Sequence, residues 1–196
     1  MQVYLYEKMC ILFSKLPLQI MVMRFCFFIV FLFVYLLINA QENYPVPTPT
    51  ENRLFIIQHS KNHNTYVYDA NFSADKTINE KEPVVVYRVV YTEGGLIKPL
   101  TSLQRKLAYG VHAIKISDKN YKLKLVSYGD LELSMKIGQD GKAFVEADIK
   151  NQTIILTRLF LRMKEGRSDF NPKLEHVVLF GFDNAGNKIS LKIIPD

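Results

Sequence analysis

From Arg53 onward the chain is a succession of short β-branched and aromatic runs, each closed by a cluster of Asn, Asp, Gly or Lys. That punctuation is the strongest constraint on the fold, because such runs are too short for amphipathic helices and have the length of strands. Ten are legible: 54–59, 65–70, 84–91, 111–116, 121–127, 131–137, 143–149, 153–163, 174–182 and 188–194. Hairpin chemistry joins several of them, at Asp118-Lys119-Asn120, Gly138-Gln139-Asp140-Gly141 and Asn184-Ala185-Gly186-Asn187. Strands joined by connections this short run antiparallel. The run Val84 to Tyr91 is almost continuously apolar and reads as a central strand buried on both faces. The expectation is an all-β domain, an antiparallel β-sandwich of about ten strands, with a closed β-barrel as the alternative.

One segment departs from this pattern. Thr101-Ser102-Leu103-Gln104 has the form of a capping box, Leu103 and Leu107 stand four residues apart, and Gly110 suits a left-handed helix end. A two-turn helix over Thr101 to Tyr109 is expected, covering one end of the strands.

The first 40 residues are of another kind. Arg24 precedes an uncharged apolar block, Phe25 to Ala40, that ends on a small residue before the polar Gln41. A basic residue, an apolar block and a small residue make a secretory signal peptide, cleaved near Ala40-Gln41. Met21 or Met23 would be the working start, with the residues before it an N-terminal extension. The alternative is an uncleaved N-terminal membrane anchor. Sixteen residues rise only ~24 Å, short of a hydrocarbon core of ~30 Å. The domain is therefore expected to be exported, periplasmic or secreted, meeting a membrane only through its leader. Residues 41–52, with Pro45, Pro47 and Pro49 alternating, read as an extended tether. Residues 53–196 form a single domain.

Both cysteines, Cys10 and Cys26, fall in the leader, so the exported part has no disulfide, thiol nucleophile or thiolate metal site. The leader also carries Lys8, Lys15, Arg24 and Glu7. Without it the 25 basic and 19 acidic residues fall to 22 and 18, and the net charge from +6 to +4. That balance, evenly mixed along the chain, is not the footprint of a nucleic-acid binder.

Four stretches together have a family character: Ser60-Lys61-Asn62-x-Asn64, Val67-Tyr68-Asp69-Ala70-Asn71, Pro83-Val84-x-Val86-Tyr87 and Gln104-Arg105-Lys106-x-Ala108-Tyr109-Gly110. They resemble an exported bacterial family, domain of unknown function 4833, over most of the chain from about Arg53. This chain departs from the family pattern at Arg88, where a tryptophan often follows the Val-Tyr pair. The resemblance implies bacterial export and no established activity.

The densest chemistry lies in Gln58-His59-Ser60-Lys61-Asn62-His63-Asn64. His59 and His63 have the spacing of a helical zinc pair, but they flank a turn and lack the glutamate that activates water, so no metal is assigned. Ser60 is not in a nucleophile elbow. The leading expectation is a non-enzymatic binding site at one end of the strands, made from His59, Ser60, Asn62, Asn64, Tyr87, Arg88, Arg105 and Tyr109. Its ligand would be a small molecule, a glycan or an envelope protein, with no cofactor. Arg158, Arg162 and Lys164 share a strand face with Phe160 and offer an alternative anion site; a charge-protected edge strand is the plainer reading. Glu146 and Asp148 read as a solvated strand face. Two other classes remain open: an envelope hydrolase for a glycan or ester with His59 or His112 as base, and a structural domain that docks through a sheet edge.

Overall fold

The computed structural model describes residues 44–149, 152–166 and 173–195. The leader, from Met1 through Met21, Met23, Arg24 and Ala40, lies outside them. No helix among the described residues is long and apolar enough to cross a membrane.

Among the described residues eleven strands form one continuous sheet: β1 (Arg53–His59), β2 (Asn62–Ala70), β3 (Val84–Val90), β4 (Leu96–Pro99), β5 (Val111–Ser117), β6 (Asn120–Leu125), β7 (Leu133–Ile137), β8 (Ala143–Ile149), β9 (Gln152–Met163), β10 (Leu174–Phe182) and β11 (Lys188–Ile193). A six-residue helix, α1 (Ser102–Leu107), joins β4 to β5. Among the described residues the all-β class and one short α-helix stand as expected. Two separate antiparallel sheets do not: the sheet is mixed, because β1 runs parallel to β9. Hairpin reasoning constrains only neighbours in sequence, and these two strands are about a hundred residues apart.

β9 organises the rest. Its first residues pair with β8, at Thr153 and Ile155, and its later ones with β1, from Arg158 to Leu161. β10 pairs along its other edge. Two arms, β1–β4 and β8–β5, therefore leave β9 in succession and curl the sheet into a half-barrel around one core. Phe55, Tyr68, Leu123, Leu133, Val145 and Leu159, drawn from both arms, fill that core. Phe55 and Tyr68 stack at 4.5 Å across the β1–β2 pair.

The corner is a bulge. Ile154 and Leu156 face the core, and so does Leu159, so one residue is inserted between the two halves of β9. The register shows it: Phe180 faces Arg158 and Gly181 faces Leu156, leaving Thr157 over. Unbroken alternation from Leu159 would put Ile155 on the core side, and the bulge puts Ile154 and Leu156 there instead. Thr157 donates its hydroxyl to the Phe180 carbonyl at 3.0 Å. A Cβ on Gly181 would stand 2.0 Å from the Ile155 carbonyl oxygen, so only glycine fits the corner.

α1 has the expected capping box: Thr101 Oγ1 accepts from the Gln104 amide at 3.2 Å, and Gln104 Oε1 accepts from the Thr101 amide at 3.1 Å. Gly110 is not left-handed. It is glycine because a Cβ there would meet the Arg105 carbonyl oxygen at 2.0 Å. Leu103 and Leu107 are exposed and do not fasten the helix; Leu100 and Tyr109, on either side of it, are the residues that meet the core. β4 carries little sequence signature, being four residues that end in Pro99, and its edge position is what tolerates a proline. It makes β3 the penultimate strand and not a central one, although β3 still packs into cores on both faces.

Candidate functional site

At the end of the half-barrel where β1 begins, three connections converge on a cleft of about 860 Å³. Arm β1–β4 supplies Glu51, Asn52 and the loop after β2; the other arm supplies the β5–β6 and β7–β8 turns. The floor is apolar, with Phe72, Ile78, Tyr121 and Ile137. The rim is polar, with Lys76, Lys119, Gln139 and Lys142 among its members. Each connection is built locally. Asp75 Oδ1 accepts from the amide and hydroxyl of Thr77, and these bonds hold its carboxyl below the usual carboxylate range. Asp140 Oδ1 accepts from the Lys142 amide at 3.1 Å, and Gly141 takes the left-handed turn position at φ 78°.

One ion cluster ties two of the connections together. Lys115 Nζ lies 2.7 Å from Asp118 and 2.7 Å from Glu80, which comes from the loop after β2. Asp118 and Glu80 push the Lys115 pKa up, and Lys115 pulls that of Asp118 down. Among the described residues, by contrast, the ammonium groups of Lys76, Lys119 and Lys142 and the Gln139 amide have no protein partner. Lys76 holds φ 63°, a left-handed conformation that costs a residue with a Cβ about 1–2 kcal/mol. A free lysine thus stands at the cleft where glycine would be easier.

The residues singled out from the sequence divide differently. His59, Arg88 and Tyr109 do gather around Tyr66, on the inner face at the far end of β1, ~20 Å along the strand from the cleft, and Asn64 stands two residues before Tyr66 on the same strand. Tyr109 stacks on Tyr66 with ring centroids 3.3 Å apart, and each hydroxyl acts on the titration of the other. The His59 ring lies 6.1 Å from Tyr66 and 6.3 Å from Tyr109. Tyr68 donates to the Tyr109 carbonyl at 2.7 Å. Burial pushes the Tyr66, Tyr68 and Tyr109 hydroxyls to higher pKa. Arg88 sits in register with Tyr66 and its charge acts on that hydroxyl; its Nε, like Asn64 Oδ1, is buried without a partner among the described residues. His59 and Tyr66 are almost fully buried, so this end is a packed aromatic plug.

Four other positions are held by other contacts. Ser60 pins the β1–β2 turn to β9, its Oγ accepting from the Met163 amide at 3.0 Å. Asn62, placed by the structure in β2 and not in the turn, accepts from the Asn64 amide at 2.9 Å. Tyr87 points to the opposite face, donating to Asp69 at 2.9 Å. Arg105 is exposed and 3.6 Å from Glu82.

On the outer face, Arg158 lies over the Phe180 ring at 3.9 Å, and burial lowers its pKa. Phe160 packs edge-on against Tyr44. Arg162 is in register with His176, and Lys164 is exposed, its amide bonded to the Lys173 carbonyl at 2.8 Å. Of the row proposed for an anion, Arg158 is therefore turned onto a ring. Glu146 pairs with Lys136, and Asp148 accepts from Thr153. His63 lies 5.2 Å from Tyr44 on the face opposite His59, so the histidine pair does not converge. Among the described residues no group of three or more His, Cys, Asp or Glu is placed to hold a metal ion.

The comparisons place the chain without naming a chemistry. A family model described as Domain of unknown function (DUF4833) matches residues 55–192. No curated protein and no solved structure matches the chain.

Proposed function

We propose that this chain, which belongs to the DUF4833 family, is an exported binding domain of the bacterial cell envelope without catalytic activity of its own. Its site is the cleft at the start of β1, and its ligand is a glycan fragment or a small molecule of the same character. The observation that carries the reading is the cleft's composition: an apolar floor under Lys76, Lys119, Gln139 and Lys142, whose polar ends have no partner among the described residues. Sugars present C–H faces to such a floor and hydroxyls to such a rim, and concave sites of this size hold small ligands. The four lysines and four carboxylates around the cleft cancel, which favours a neutral or zwitterionic ligand over a highly charged one. The curled sheet serves as a sandwich whose two layers share β9, with loops gathered at each end. The leader takes the domain across the membrane and is removed near Ala40-Gln41.

Native mass spectrometry of the protein recovered from its own cell envelope tests this. A small co-purifying mass, absent from a variant carrying Gln139→Ala and Lys142→Ala with an unchanged melting temperature, supports it. A bare protein, or a bound mass indifferent to those substitutions, refutes the cleft as the site. A leader retained in the mass refutes cleavage.

A hydrolase built on His59 is the weaker reading, because the ring is packed between tyrosines and Ser60 is engaged by the Met163 amide. Docking through a sheet edge has one specific observation behind it. Leu96 and Ile97 on β4, and Ile114 and Ile116 on β5, are exposed on strands with one pairing neighbour each. A partner protein in the same mass spectrum, lost on replacing Ile97 and Ile114 by lysine, would favour that reading.

A further inference from the structure

The outer face of β1 and β2 holds a second recognition surface, independent of the cleft. The segment Tyr44 to Thr50, expected as a tether, lies along it. Gln58 and Thr65 are fully buried side chains on adjacent strands, and both are directed at one peptide group. Gln58 Nε2 donates to the Pro45 carbonyl at 2.8 Å and to Thr65 Oγ1 at 2.8 Å, and Thr65 Oγ1 lies 3.4 Å from the same carbonyl. Tyr44 packs against Phe160 and His63. Farther along, Arg53 donates to the Thr48 carbonyl at 3.3 Å. Between these anchors lies a small apolar cluster of Ile56, Val67 and Val89, flanked by Tyr87 and Tyr91.

One half of the Gln58 amide is left over. Its Oε1 is buried and has no hydrogen-bond partner among the described residues. A primary amide presents a donor and an acceptor side by side. In an extended chain the carbonyl and N–H of one residue point to the same side, so such an amide can bind both. Pro45 offers the carbonyl and, being proline, has no N–H to give. The resident segment therefore satisfies half of a two-sided reader, and an unpaired buried acceptor is a standing penalty.

We propose that this face is a docking groove for an extended peptide of a partner protein, read at its backbone by Gln58 and Thr65. The partner peptide has an aromatic residue at the place of Tyr44, followed by a residue other than proline at the place of Pro45. Residues 44–50 are the groove's own occupant, seated in cis and weakened by Pro45, so that a partner segment with the missing N–H displaces it.

Two measurements test this. In the first, fluorescent peptides YPVPTPT and YAVPTPT are titrated by anisotropy against the full chain carrying Tyr44→Ala, which loosens the resident segment. The alanine peptide is expected to bind about three- to tenfold more tightly, the effect of one added hydrogen bond. Gln58→Leu in the same background is expected to remove the difference. Equal binding of the two peptides, or no binding by a variant whose circular dichroism is that of the parent, overturns the proposal. The second measurement leaves the resident segment in place. In full chain carrying Pro45→Ala, the newly introduced amide is expected to exchange its hydrogen slowly, and to exchange fast when Gln58→Leu is added. Fast exchange in Pro45→Ala alone overturns the two-sided reading whatever the peptides do.

Discussion

Gly181→Ala probes the corner on which both arms, and so the cleft, depend. The added methyl would sit 2.0 Å from the Ile155 carbonyl oxygen and 2.9 Å from its carbon. Ordinary contact requires about 3.3 Å or more, so the β9 and β10 backbones would have to part by over 1 Å. Neither atom belongs to a side chain that can swing away; both are held in the ladder beside the Thr157 bulge. Overpacking of this kind costs about 1–3 kcal/mol, and a backbone clash lies at the upper end. For a domain of this size each kcal/mol moves the melting temperature by about 2–4 °C, so a fall of about 6–12 °C is expected by circular dichroism. Gly129→Ala is the internal control. Its methyl would find nothing nearer than the Leu125 oxygen at 3.8 Å, and it should gain up to about 1 kcal/mol from a stiffer unfolded chain. If Gly181→Ala melts within about 2 °C of the parent at unchanged denaturant slope, the bulge is not a strained corner and the account of the curl fails.

Lys76→Gly should raise stability by about 0.5–1 kcal/mol, since glycine takes φ 63° without steric cost, and should weaken whatever ligand the cleft holds; a stability loss in urea titration would refute the strain. Alkali should unfold the domain steeply. The raised hydroxyls of Tyr66, Tyr68 and Tyr109 contribute stability that is whole below the ordinary tyrosine value near 10. Above that pH the unfolded chain releases protons that the folded one keeps, a loss of up to about 4 kcal/mol per pH unit for three groups. Denaturation measured between pH 9 and 12 with a flat profile would remove the aromatic plug as a buried cluster. At the acid end the sign is reversed: the lowered carboxyls of Asp75 and Asp118 favour the folded loops above the ordinary aspartate value and cease to as pH falls through their own. Ligand release from the cleft is therefore expected below about pH 4, and binding constant from pH 5 to 9 would accord with it. Thr101→Ala should cost about 1 kcal/mol through the lost cap, read as faster hydrogen exchange in α1.

How far the fold could be read from the sequence follows from which interactions are local. Hairpins and the capping box involve residues a few positions apart, and Thr101-x-x-Gln104 or Asp140-Gly141 carry their geometry with them. The parallel pairing of β1 with β9 has no local signature, since nothing in Ile56-Ile57-Gln58 names Arg158-Leu159-Phe160 as its neighbour. The bulge at Thr157 was nearly legible. Gly181, the one glycine inside a strand, is the type of residue that marks a close backbone approach. Gly110 shows the opposite case: the right residue at the right place, required by the Arg105 carbonyl and not by a left-handed turn.

The site was harder because its chemistry is ordinary wherever it is written. Lys76, Lys119 and Lys142 each sit in a polar turn that reads as solvated surface, and only the curl of the arms makes them neighbours. The one local sign was Lys76 itself, in a turn where glycine or asparagine would be easier. In the segment 58–64 the polar chemistry is dense, and Gln58, His59, Ser60 and Asn62 all bond to backbone groups of the chain itself. Gln58 is the informative one among them. It opens that same stretch, and a glutamine in a strand carries no catalytic suggestion. Yet full burial of an amide with half its capacity unused is a stronger mark of recognition than any exposed histidine, because only a partner able to supply the missing donor relieves it. Pro45→Ala puts that argument at risk directly. It removes a residue that restricts the unfolded chain, which by itself should destabilise by about 0.4–1 kcal/mol, and it adds the one N–H that Gln58 lacks. A variant more stable than the parent means the hydrogen bond outweighs the lost restriction; a less stable one, with Gln58→Leu making no further difference, means the amide was never waiting for a donor.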